Sequence, residues 1–161
     1  MDTRYTKTRT VTVKKKDVYF DIDYLSWYYA HTSAGDDAVK GDAISTETDR
    51  PGGRRIVKRL CDRKASDLKT ELEKFLDVTT VTSADDTYAD ANWVFNVRIT
   101  TEAEDNIFPT LADYFHHYIV DGALAAYYAE IGVQGNRESL QKNCADYIEN
   151  IRRLVFHRPQ P

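Results

Sequence analysis

The chain has 161 residues, 42% of them hydrophobic and 30% charged, with a formal net charge of -4. That size and balance suit one globular domain and argue against wholesale disorder. No apolar run approaches the roughly 18 residues that span a bilayer, and two cysteines are too few for a disulfide framework.

Charge is unevenly spread. Residues 1–16 hold six Lys or Arg against Asp2, a local +5, and residues 50–64 hold seven against Asp62, a local +6. Two basic segments on an otherwise acidic body suggest contacts with a neighbouring subunit or a polyanion, or simply a solvated helix face. Aromatics are abundant, with 11 Tyr, 6 Phe and 2 Trp. Tyr joins an apolar ring to a polar tip, which suits surfaces buried in an assembly but wet at the rim as well as a domain core.

Residues 1–16 lack the apolar stretch of a signal peptide, and the β-branched run over 3–13 reads as an extended arm or an edge strand. A helix follows over Asp17–Ala30, with Asp17 as a candidate N-cap. Val18, Ile22, Leu25 and Tyr29 recur at helical spacing, while Phe20, Tyr24, Trp27 and Tyr28 fall on a second face. A helix with two apolar faces is contacted from two sides, so these four rings are expected at a subunit interface.

Residues 31–53 form a long polar stretch read as a loop, closed by Pro51-Gly52-Gly53. The next helix, Arg54–Asp77, has a stripe of Val57, Leu60, Cys61, Leu68, Leu72, Phe75 and Leu76. On its other side Arg55, Arg59 and Arg63 stack at four-residue spacing. Guanidinium groups pair bidentately with carboxylates or phosphates. Glu102, Glu104 and Asp105 of a neighbouring subunit are the expected partners, with a nucleic-acid phosphate backbone as the alternative.

Residues 78–82 and 91–100 read as two strands, the second burying Trp93, Phe95, Val97 and Ile99 by alternation. A third helix, Leu111–Ile131 with Thr110 as its cap, is apolar around most of its circumference and should be buried on several sides. Gly132 suits a helix C-terminus and Asn136 the start of the next helix, Arg137–Phe156, so the last two helices should form an antiparallel hairpin. Residues 157–161 read as an extended tail. The expected fold is one α+β domain, mostly helical: about four helices and a small β element.

Chemistry is sparse. No phosphate loop or nucleophile elbow is present. Asp113, His117 and Asp121, four residues apart on one helical face, could hold a metal or move protons, but read more simply as a polar stripe with local ion pairs. No catalytic residue, metal or cofactor is expected.

The stretch from Ile119-Val120-Asp121 to Tyr127-Tyr128, together with Ala145, Tyr147, Ile151-Arg152-Arg153-Leu154-Val155-Phe156 and the Arg158-Pro159-Gln160-Pro161 ending, resembles small virion proteins. These belong to tailed phages and prophages of Bacteroides-type bacteria, including crAss-like phages. The Trp93-Val94-Phe95-Asn96-Val97 strand is also similar. The resemblance implies a structural subunit of a head–tail connector or neck ring, homo-oligomeric, touching portal and tail proteins and located in the virion after assembly in the host cytoplasm. A non-enzymatic prophage or bacterial module that binds a protein or nucleic acid is the alternative.

Overall fold

The computed structural model describes residues 6–32, 51–82, 92–100, 106–132 and 136–156. In chain order they form β1 (Thr6–Lys14), α1 (Lys15–Thr32), α2 (Pro51–Glu73), β2 (Asp77–Thr82), β3 (Asn92–Thr100), α3 (Ile107–Ile131) and α4 (Arg137–Phe156). The fold is α+β and mostly helical, with four helices and a three-stranded sheet among the described residues.

The sheet is antiparallel throughout, in the order β1-β3-β2. Residues 6–14 are thus an edge strand rather than a free arm, with Val11 opposite Phe95 and Val13 opposite Trp93. Alternation sets the faces: Val11, Val13, Val78, Trp93, Phe95, Val97 and Ile99 are buried, while Thr8, Thr10, Thr12 and Arg98 are exposed. Burying each such large apolar side chain is worth about 1.5–3 kcal/mol, which holds the sheet to the helices.

α3 is the central element. Leu111, Phe115, Ile119, Leu124 and Tyr128 are buried along it, and α1, α2, α4 and β1 all pack on it. Phe115 meets Phe95 of the sheet edge-to-face at 5.0 Å. At its end Gly132 adopts φ 79°, and its N–H bonds the Tyr128 carbonyl, the left-handed C-terminus that glycine permits. α4 then returns along α3, burying Leu140, Ile151 and Val155.

Several boundaries differ from the sequence expectation. α1 begins at Lys15, directly after β1, so Asp17 lies inside its first turn instead of capping it; an acid there still favours the helix dipole. α2 begins at Pro51, where a missing N–H costs nothing, and ends at Glu73. Asp77 belongs to β2, because the N–H groups of Phe75 and Leu76 both close onto the Leu72 carbonyl and turn the chain into the sheet. α3 starts at Ile107 rather than Leu111; Thr110 is already helical, and Asn106 at the cap position makes no side-chain capping bond. Of the segment 31–53, residues 31–32 end α1 and 51–53 begin α2; residues 33–50 and the tail 157–161 lie outside the described residues.

Candidate interaction surface

α1 has two faces of opposite fate. Val18 and Ile22 are buried, with Leu25 and Tyr29 half-buried beside them, and this stripe lies against the core. On the other side Phe20, Tyr24, Trp27 and Tyr28 are 69%, 55%, 51% and 46% exposed. Their spacing of four, seven and eight residues from Phe20 puts all four within about 100° of the helix circumference. The two apolar faces of the sequence therefore correspond to one buried face and one largely exposed face.

At the start of this row lies an open cleft of about 470 Å³ between the end of β1, the first turns of α1 and the first turns of α3. Phe20, Asp17, Asp21, Asp113, His116 and His117 are among its lining groups, with Lys14 at the strand end. The His116 ring bonds the Asp21 carboxylate through Nε2, joining α3 to α1. Asp17 and Asp113 are exposed.

The proposed polar stripe of α3 divides in three dimensions. Asp113 reaches the cleft, and His117 meets the His116 ring edge-on at 5.2 Å and lies tilted beside the Tyr147 ring at 6.0 Å between centroids. Asp121 instead turns into the seam with α4. There it accepts hydrogen bonds from the Tyr147 hydroxyl at 2.8 Å and the Asn143 amide at 3.4 Å. Burial raises the Asp121 pKa above its ordinary value, with the two hydrogen bonds and the nearby histidines opposing it. Burial and the bond to Asp121 push the Tyr147 hydroxyl up as well, so it remains a neutral donor. Among the described residues no three His, Cys, Asp or Glu side chains are grouped to hold a metal ion.

On α2, Arg59 and Arg63 are exposed one turn apart, opposite the buried Val57, Leu60 and Cys61. The Arg55 side chain and residues Glu102, Glu104 and Asp105 lie outside the described residues, so the pairing expected between them has no geometry here.

The His116–Asp21 and Asp121–Tyr147 contacts were not legible in the sequence. They join positions 95 and 26 residues apart, and helical periodicity carries no information across such separations. Among the described residues, no helix is long and apolar enough to cross a membrane. No protein-family model matches the chain, and neither a curated protein nor a solved structure does.

Proposed function

We propose that the chain is a non-enzymatic structural subunit of a phage head–tail connector or neck ring, a homo-oligomer lying between portal and tail in the virion. The observation that carries this reading is the row of Phe20, Tyr24, Trp27 and Tyr28, exposed together on one face of α1. Soluble monomers seldom leave so many large rings adjacent in water, whereas subunit interfaces are enriched in Tyr, Trp and Phe. The resemblance of the C-terminal hairpin to small phage virion proteins supplies the setting. Portal and tail proteins are then the neighbours, and a channel would bring the basic residues near DNA.

The reading is tested by mass photometry and negative-stain microscopy of the purified full chain, alone and with a portal protein. Rings of one stoichiometry support it. A chain that stays monomeric up to high micromolar concentration and forms no ring on a portal refutes it, and leaves the interaction-module alternative.

A further inference from the structure

Building on the homo-oligomeric reading, we propose that the exposed face of α1 receives the Arg59–Arg63 pair of a second copy of this chain, in a head-to-tail contact. The two surfaces are complementary in chemistry. The α1 face presents flat rings, and at the cleft beside Phe20 the exposed carboxylates Asp17 and Asp113 outnumber the one lysine there, Lys14. A guanidinium stacks on an aromatic face and bonds carboxylates at its edge, so rings flanked by acids suit arginine better than any other side chain.

They also match in spacing. Arg59 and Arg63 are four residues apart on α2, as are Phe20 and Tyr24 on α1, and each separation is about 6 Å along its helix axis. One guanidinium enters the cleft between Asp17 and Asp113 over Phe20, and the other lies one turn further on, over Tyr24. Asp21 is already engaged by His116, which leaves Asp17 and Asp113 as the receiving acids. Donor and acceptor are different surfaces of one subunit, so the contact is heterologous, and repeating it generates a ring or a filament.

The test is a charge exchange on the full-length chain, read by sedimentation velocity and native mass spectrometry. All four positions are exposed, so the substitutions spare the core. Arg59→Asp with Arg63→Asp in one variant, and Asp17→Arg with Asp113→Arg in another, should each weaken self-association roughly tenfold or more. Mixing the two variants should restore assembly with strictly alternating subunits, because every junction then pairs opposite charges. Phe20→Ala with Tyr24→Ala should weaken association even at high salt. If the parent assembles and both charge variants assemble equally well, the docking is wrong while the oligomeric reading stands. The same holds if they lose only affinity for duplex DNA. If the parent self-associates neither alone nor on a portal, a second copy is not the occupant and the oligomeric reading falls with it.

Discussion

The indole N–H of Trp93 donates to the Asp62 carboxylate at 2.9 Å, tying the middle strand β3 to helix α2. The same carboxylate lies 3.7 Å from the ammonium of Lys15, and that ammonium sits 5.1 Å from the Trp93 ring centroid. Tyr19 meets the ring edge-on at 6.2 Å. A buried lysine is tolerable only with such partners, and this group anchors the point where β1 gives way to α1.

Replacing Asp62 by Ala therefore strands a fully buried indole donor and removes the carboxylate beside Lys15. The expected loss is about 1–3 kcal/mol in urea unfolding. Asp62→Asn keeps an acceptor for the indole and should cost less. Equal stability of Asp62→Ala and the parent would show that the link contributes nothing.

Asp121 gives a pH dependence of definite sign. Burial holds its carboxyl above the ordinary 3.8. A carboxyl raised in the folded state binds its proton more tightly there than in the unfolded chain. Its favourable contribution is complete below the unfolded value and is lost as pH rises through the folded value. Asp121→Asn should therefore be more stable than the parent at pH 7, and the advantage should shrink as pH falls towards 4. Tyr147→Phe removes the donor at 2.8 Å and should cost about 1.5–3 kcal/mol at pH 7 and less in acid. Urea titrations at three pH values measure both.

Gly122 lies where α2 and α4 both approach α3. A Cβ at this position would stand 2.9 Å from Cδ of Lys64 and 3.6 Å from the Cys144 sulfur. The lysine stem can swing aside, and alanine gains about 1 kcal/mol of helix propensity over glycine. Gly122→Ala should therefore be close to neutral by thermal unfolding. Gly122→Val meets both neighbours and should cost about 1–3 kcal/mol.

The two thiols should be inert in the folded chain. Cys61 is fully buried and its pKa is pushed up by that burial; burial likewise pushes Cys144, whose S–H lies 3.6 Å from the Tyr118 carbonyl, up to about 12. Since the thiolate is the reactive form, labelling with a disulfide reagent at pH 8 should run on the order of a thousandfold slower than for a free thiol. In denaturant both cysteines should react at once. Fast native labelling of either would contradict the packing around it.

Periodicity determined a large part of this molecule. The 3.6-residue repeat of Val57, Leu60, Cys61, Leu68 and Leu72 marks the core face of α2, and the two-residue repeat of Trp93, Phe95, Val97 and Ile99 marks that of β3; all are buried. The apolar girth of α3 likewise marks a helix enclosed by its neighbours. Element ends were less legible, since closure of Phe75 and Leu76 onto Leu72 depends on where the sheet waits. Periodicity also divided α1 into an aliphatic and an aromatic face without saying which one the fold would cover. Only the docking of α1 on α3 decided that: Val18 and Ile22 are buried on the side towards α3, while Phe20, Tyr24, Trp27 and Tyr28 keep about half or more of their surface exposed. The same docking brought His116 to Asp21, and the α3–α4 hairpin brought Tyr147 to Asp121. A local repeat specifies which residues share a face; the partner that meets that face is set by how whole elements pack.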